Sequence, residues 1–288
     1  KEQDELIKKQ KKASEIIIRF MNKTKHKRKA EYFKGICSDS SVCIAFGTHS
    51  DEITKFFNGF KEFYYVDSPI KSIGGVSANG FINEIKYVHR GYESYAVLKS
   101  AIRPGSDNLL YEYIVGLYVN KLNKLYPCFL QTYSYYTYKS DNDWKIMKSK
   151  SAKVEASAKV AKVPKVPKDP KKASAKAAKA ALLNKTKEDV IKHGLDLHKD
   201  VDYTIACLNS KYVTILVQHL KGIKSLYTMS NNSTFCKQEL LYALAQVYIP
   251  LSSLMNNFTH YDLHSSNVVL YEPVKDSYLE YHYHLVNG

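Results

Sequence analysis

The sequence lacks long hydrophobic runs and has few cysteines. No stretch approaches the roughly 18 consecutive apolar residues that a membrane-spanning helix requires, and the apolar run 16–18 is too short for the core of a signal peptide. The 5 cysteines, an odd number without a pairing pattern, are typical of free thiols in a reducing compartment. We therefore expect an intracellular, cytoplasmic protein without a membrane span. The cysteines expected to be ordinary small apolar side chains are Cys37, Cys43, Cys128, Cys207 and Cys236.

The positive charge is concentrated in one segment. The 288 residues are 44% hydrophobic, which excludes disorder throughout, and the net charge is +15. Residues 145–187 contain 14 lysines and 2 acidic residues, so this segment carries +12 and the rest of the chain only +3. It has no aromatic residue and has prolines at a spacing of three, which predicts a flexible, partly extended insert within a domain. Its composition allows only nonspecific, salt-sensitive contact with nucleic acid.

The hydrophobic pattern predicts a mixture of helices and strands. Helices are predicted at 3–22, 51–60, 108–125 and 188–198, and from about 234, where Leu240, Leu241, Leu244 and Val247 share one face and Pro250 should kink the helix or end its first part. Strands are predicted at 42–46, 63–66, 95–99, 128–138, 212–217 and 278–286, and on both sides of a glycine loop within 70–85. A basic cluster at 23–29 indicates a solvated helix end or, alternatively, a patch for nucleic acid or acidic lipid.

The segment HYDLHSSNVVL at 260–270 follows the last helix and runs into an apolar strand. It resembles the catalytic loop of the protein-kinase superfamily, His-x-Asp-Leu-x-x-x-x-Asn. The resemblance implies that Asp262 accepts the proton of the incoming hydroxyl group and that Asn267 places an amide oxygen on magnesium. The alternative is an ordinary polar turn after a helix.

Further matches precede this loop in the order that the family requires. Lys99 ends the strand Ala-Val-Leu-Lys, which resembles the kinase strand whose lysine holds the α- and β-phosphates. Glu112 lies 13 residues later in a predicted helix and is the expected ion-pair partner of Lys99. Each residue alone would indicate only a surface lysine or a glutamate on a helix face.

A glycine loop and a short connection complete the resemblance. Gly74, Gly75 and Gly80 lie between two predicted strands, where backbone N–H groups could approach phosphates, although such a loop is usually only a hairpin. The connection after strand 212–217 is expected to meet the adenine through its backbone, although any link from a strand to a helix would look similar. We assign it to Gln218, His219 and Leu220.

Two departures from the family pattern affect the predicted activity. The Asp-Phe-Gly triplet that supplies the main magnesium ligand is absent after Asn267, and we expect it to lie beyond Gly288. His264 stands where serine/threonine kinases usually have lysine and resembles the aminoglycoside- and choline-kinase branch. Tyr261 replaces an arginine that pairs with a phosphorylated activation loop, so that mode of control is not expected.

We therefore expect an α+β, bilobal protein-kinase-like fold with a complete small lobe and a truncated helical lobe. The expected divisions are an N-terminal extension at 1–69, the first part of the small lobe at 70–144, the insert at 145–187, the end of the small lobe and hinge at 188–220, and the start of the large lobe at 221–288.

The expected function is phosphotransfer that depends on ATP and Mg²⁺, with Asp262, Lys99, Glu112 and His264 as catalytic residues. A serine/threonine protein kinase is favoured, and the 288 residues alone are expected to be inactive because the magnesium-binding triplet is missing. The alternatives are a small-molecule kinase, a pseudokinase scaffold, or an anion tether based on the insert. The Tyr- and Lys-rich composition resembles the kinase-like proteins of large DNA viruses, which adds the virion or the viral factory as possible locations.

Overall fold

The fold is α+β and is built on a six-stranded antiparallel sheet with the strand order β1-β2-β3-β6-β4-β5. A computed structural model describes residues 2–37, 47–76, 80–105, 108–149, 185–201 and 203–271. The α+β class predicted from the sequence is confirmed.

The strands are β1 Val66–Ile73, β2 Gly80–His89, β3 Tyr92–Ala101, β4 Thr132–Tyr138, β5 Leu195–His198 and β6 Val213–His219, with β7 Lys224–Ser225 and β8 Val269–Leu270 in a separate two-stranded sheet. The α-helices are α1 Glu2–Cys37, α2 Ser50–Phe56, α3 Asn108–Leu122, α4 Asp141–Lys148, α5 Lys187–His193, α6 Tyr203–Leu208, α7 Leu226–Met229, α8 Ser233–Gln238 and α9 Leu240–Leu254. Single 3₁₀ turns occur at Gly47–His49, Asn58–Phe60, Phe63–Tyr65 and Ser210–Tyr212.

One face of the large sheet packs against α3. Residues of β3, β4 and β6 alternate between the two faces, as strand geometry requires. On the α3 face, Val97 and Ile215 form a buried cluster with Leu110 and Tyr113 of the helix. This packing places α3 beside the strand that carries Lys99.

The opposite face is covered by aromatic residues that precede β1. Phe57 and Phe60 are fully buried, and the Phe60 ring lies 4.4 Å from the Tyr133 ring. Tyr87 donates a hydrogen bond to the carbonyl oxygen of Phe60, at 3.2 Å. The segment preceding β1 is therefore part of the core, and β1 begins at Val66, four residues before the predicted start of the small lobe at 70.

The ends of the lysine-rich segment are folded, which corrects the predicted boundaries at 145 and 187. Helix α4 continues to Lys148, with Ile146 and Met147 buried. Lys187 begins α5, is fully buried, and donates from Nζ to Ser72 Oγ at 2.6 Å and to Asn83 Oδ1 at 2.7 Å. Ser72 Oγ also donates to the carbonyl oxygen of Ser149, at 3.2 Å. The chain therefore leaves and re-enters the fold beside the same serine.

Several predicted elements differ from the structure. The predicted strand at 63–66 is a 3₁₀ turn that leads into β1, and the predicted helix at 188–198 ends at His193, before Gly194, and is followed by β5. The predicted strands at 42–46 and 278–286 lie outside the described residues.

The predicted helix from 234 is divided at Glu239, whose φ of −121° is not helical, into α8 and α9. Pro250 lies within α9 and does not end it. Leu240 and Leu244 pack against the buried Phe235, but Leu241 is 76% exposed, so the predicted common face is wrong for Leu241.

The cysteine prediction also needs correction. Cys37 is fully buried and disulfide-bonded, whereas Cys128, Cys207 and Cys236 are free thiols. The argument for a reducing compartment from unpaired cysteines therefore does not hold. Among the described helices, none combines the length and the apolar character needed to cross a membrane.

Candidate active site

Lys99 and Glu112 form an ion pair between β3 and α3. Lys99 lies near the end of β3, between Ile82 of β2 and Ile215 of β6, and its Nζ donates to Glu112 Oε1. The two side chains are 33% and 41% exposed, so the pair is accessible to a ligand from solvent. The pairing predicted from the sequence is therefore present.

A close contact between α3 and β4 sets the position of Glu112. One helical turn after Glu112, Gly116 faces Thr132, and a Cβ atom at Gly116 would lie 2.1 Å from Thr132 Oγ1. One turn further on, Asn120 Nδ2 donates to the carbonyl oxygen of Thr132 at 2.6 Å, and Asn120 Oδ1 accepts from the Thr132 N–H at 3.0 Å. Glu112, Gly116 and Asn120 therefore form one stripe that holds α3 against the sheet.

The sequence analysis missed this stripe. Its only sequence signal is a small residue and an amide at four-residue spacing from Glu112, which places all three on one helical face.

The glycines of the predicted phosphate loop lie at the Lys99 end of the sheet. Gly74 follows β1 and has a φ of +68°, and a Cβ atom on Gly75 would meet nothing within 4 Å. Gly80 begins β2 opposite Ala101, and a Cβ atom there would lie 2.2 Å from the carbonyl oxygen of Ser100. The close approach of β2 to β3 thus requires Gly80 whether or not phosphate binds, while Gly74 and Gly75 leave open space; residues 77–79 are outside the described part.

The three residues of the predicted hinge lie at the end of β6 and directly after it. Gln218 and His219 still belong to β6, opposite Ala96 and Tyr95 of β3. The Gln218 N–H donates to the carbonyl oxygen of Gln131 at 2.7 Å, and its Oε1 accepts from the Gln131 N–H at 3.1 Å. The backbone N–H of Gln218 is therefore occupied. The link begins only at the buried Leu220.

A buried carboxylate that the sequence analysis did not identify fixes the start of this link. Glu84 Oε2 lies 2.6 Å from Lys221 Nζ and 3.1 Å from His219 Nε2, and its side chain is only 8% exposed. Glu84 pairs across β2 and β3 with Val97, so it shares the sheet face of Lys99. Burial lowers the pKa of His219, with Glu84 opposing that effect. The contact ties the end of β6 to β2.

The catalytic-loop residues Asp262 and Asn267 contact each other in an exposed turn. Asn267 Nδ2 donates to Asp262 Oδ2 at 2.8 Å and to the Asp262 carbonyl oxygen at 2.9 Å. His264 Nδ1 accepts from the Ser266 N–H at 3.3 Å, so the neutral ring carries its hydrogen on Nε2. That nitrogen lies 3.7 Å from Asp262 Oδ1.

The loop is anchored through its following residues. The N–H groups of Tyr227 and Leu226 donate to the carbonyl oxygens of Ser265 at 3.0 Å and Val268 at 2.8 Å. Strands β7 and β8 continue this contact through the pairing of Ser225 with Val269. The Asp262 carboxylate, by contrast, is 80% exposed and open to a substrate.

The two groups of candidate residues remain separate within the described chain. No hydrogen bond or ion pair there joins Lys99 or Glu112 to Asp262, His264 or Asn267. The rings of Phe129 and Phe258 contact each other, with their centroids 6.0 Å apart. Phe129 lies in the link before β4 and Phe258 just before the loop at Asp262, so this contact connects the sheet with the loop.

The donor set around Asp262 suits magnesium only together with phosphate oxygens. Within the described ranges, no group of three or more His, Cys, Asp or Glu side chains could hold a metal ion. One carboxylate and one amide oxygen, from Asp262 and Asn267, match the few protein ligands that Mg²⁺ takes when water and substrate phosphates fill its other positions.

No protein-family model, no curated protein and no solved structure matches this chain.

Proposed function

We propose that the protein is a phosphotransferase that depends on ATP and Mg²⁺, with a kinase-like bilobal arrangement and a protein hydroxyl group as the favoured acceptor. The observation that carries the proposal is the ion pair of Lys99 and Glu112 between the third strand and the helix that follows it. An active protein kinase needs a lysine of its third strand paired with a glutamate of the next helix.

The environment of Lys99 suits a nucleotide. The Lys99 ammonium group would face the α- and β-phosphates, and Glu112 would fix its position. Ile82 lies beside Lys99 on the same sheet face, is only partly buried, and provides apolar surface for a base. Because Gln218 and His219 pair with β3 and the Gln218 N–H donates to Gln131, we assign the backbone contact with the base to residues 220–222.

The exposed turn at Asp262 would carry the transfer step. Asp262 would orient the acceptor hydroxyl and take its proton, and Asn267 would offer its amide oxygen to magnesium. Magnesium bound with the nucleotide would neutralise charge on the phosphates. His264, beside Asp262, supports a small-molecule hydroxyl as a second acceptor class.

A nucleotide-binding module that does not transfer phosphate is the second candidate. Its support is the departure of the sequence from the kinase pattern, since residues 268–288 contain no Asp-Phe-Gly triplet. Both candidates require ATP to bind at Lys99.

Binding of a fluorescent ATP analogue tests this shared requirement. In Lys99→Met we expect affinity to fall by at least about 10-fold, because the charge that faces the phosphates is lost. The melting temperature should stay near that of the wild type, since the side chain is partly exposed. Lys139→Met is the matched control, because Lys139 forms a 3.5 Å ion pair with Asp196 on the same sheet. Equal affinity of Lys99→Met and wild type would overturn the proposal.

A further inference from the structure

Helix α1 extends away from the rest of the described chain. It has 36 residues, but only its final turns, around Phe33 and Cys37, are buried against the body. The described side chains from 3 to 32 are exposed except for Thr24, which is half-buried and donates from Oγ1 to the carbonyl oxygen of Phe20. The large apolar side chains of this part are between 56% and 67% exposed; they are Leu6, Ile7, Ile16, Ile17, Ile18, Phe20 and Met21.

Most of these apolar residues share one side of α1. Successive residues of an α-helix are rotated by about 100°, and at this spacing apolar and uncharged polar residues line up as one stripe along α1. Lys9 is the charged residue that interrupts this stripe. Its members are Leu6, Gln10, Ala13, Ile16, Ile17, Phe20, Met21 and Thr24. The opposite side carries Lys8, Lys11, Lys12, Arg19 and Lys23, with Glu15 as the acidic residue among them. Ile7 and Ile18 border this basic side. Residues 6–24 therefore form an amphipathic helix with a basic polar face.

The charge pattern disfavours a second copy of α1 as the partner. Basic segments at 8–12 and 23–29 flank the apolar segment 16–21 on both sides. In a parallel pair each basic segment would meet its own copy, and in an antiparallel pair centred on 16–21 one basic segment would meet the other. Like charges placed together destabilise helix pairs.

An anionic lipid surface satisfies both parts of the pattern. Apolar side chains of an interfacial helix enter the boundary of the acyl chains, while lysine and arginine side chains reach the headgroups. Each basic residue near an anionic bilayer adds to the attraction. Nucleic acid would match the charge but would leave Ile16, Ile17, Phe20 and Met21 exposed to water.

We propose that residues 6–24 of α1 bind in the plane of an anionic membrane surface and hold the protein there. The helix lies on the bilayer and does not cross it. The proposal concerns the location of the protein and is independent of the nucleotide site.

Vesicle flotation of the full chain tests the proposal, with phosphatidylcholine vesicles that contain or lack phosphatidylserine. We expect the wild type to float only with phosphatidylserine. Ile17→Gln/Phe20→Gln should bind at least about 10-fold more weakly, because two inserting side chains are lost. Glutamine keeps a high helix propensity, and circular dichroism verifies that α1 remains folded.

Two further proteins separate the alternatives. Leu241→Gln/Tyr242→Gln replaces two residues of α9 that are 76% and 70% exposed, and it should bind like the wild type. A protein lacking 150–184 should also bind, which removes the lysine-rich segment as the cause. Failure of the wild type to float, equal binding by Ile17→Gln/Phe20→Gln, or a dimer in light scattering that this double variant abolishes would overturn the proposal.

Discussion

Replacing Gly116 by alanine tests whether the contact between α3 and β4 sets the nucleotide site. The new Cβ atom would lie 2.1 Å from Thr132 Oγ1 and 2.7 Å from Thr132 Cβ. Because carbon atoms are in optimal contact at about 3.5 Å or more, helix and strand must separate by about 1 Å. The separation would also strain the hydrogen bonds between Asn120 and Thr132.

The opposing contributions can be compared. Overpacking costs about 1–3 kcal/mol, and each weakened hydrogen bond costs about 1 kcal/mol. Alanine offsets about 1 kcal/mol of this cost, because its helix propensity is higher than that of glycine. We therefore expect Gly116→Ala, which weakens two hydrogen bonds, to lower the free energy of unfolding by about 2–4 kcal/mol, measured by urea denaturation. Since Glu112 lies one turn away, affinity for ATP should fall by about 5-fold or more.

Gly35 provides the matched control, because a Cβ atom there meets nothing within 4 Å of its position on α1. Gly35→Ala should leave the stability unchanged or raise it by up to about 1 kcal/mol. In a Thr132→Gly background, Gly116→Ala should cost less, because the clashing atoms are gone. A Gly116→Ala variant with wild-type stability and wild-type affinity for ATP would refute the role of this contact.

Three other perturbations give distinct readouts. Burial lowers the pKa of Lys187 from 10.5 to about 8. Between these two pH values the unfolded chain binds more protons, so the free energy of unfolding should rise with pH, by at most about 1.4 kcal/mol per pH unit. Lys187→Met should lose this rise, and parallel pH profiles for the two proteins would contradict it. Replacing 150–184 by a short glycine-serine linker should leave the melting temperature nearly unchanged. Deleting 145–187 should lower the melting temperature, because Met147 and Lys187 are buried. Equal melting temperatures for the two proteins would show that the segment ends do not anchor the fold. Asp262→Asn should keep its affinity for ATP and lose phosphate transfer, assayed with magnesium and labelled ATP, because the group that takes the proton of the acceptor is removed; transfer by this variant at the wild-type rate would contradict the role of Asp262.

Local patterns predicted the part of the site that depends on neighbouring elements. The pairing of Lys99 and Glu112 was predicted from the resemblance to a kinase strand and the helix after it, and it depends only on two elements separated by one connection. The turn at Asp262 and Asn267 was predictable for the same reason, because five residues can place both side chains together.

Contacts between distant segments were not predictable from these patterns. Lys187 belongs to a lysine-rich run, and its burial depends on Ser72 and Asn83, more than 100 residues earlier. The helix predicted over 188–198 failed because pairing with β4 converts 195–198 into a strand. In both cases tertiary contacts override the local pattern.

The aromatic layer that Phe57 and Phe60 form on the sheet affects how the chain folds while it is being synthesised. Phe57 and Phe60 leave the ribosome before Tyr133 and Tyr136, the β4 residues near which they pack. At about 5–20 residues per second, these phenylalanines remain without that strand for about 4 to 15 s. During this interval the new chain exposes aromatic side chains that promote aggregation. The yield of the protein in cells should therefore depend on chaperones that bind nascent chains.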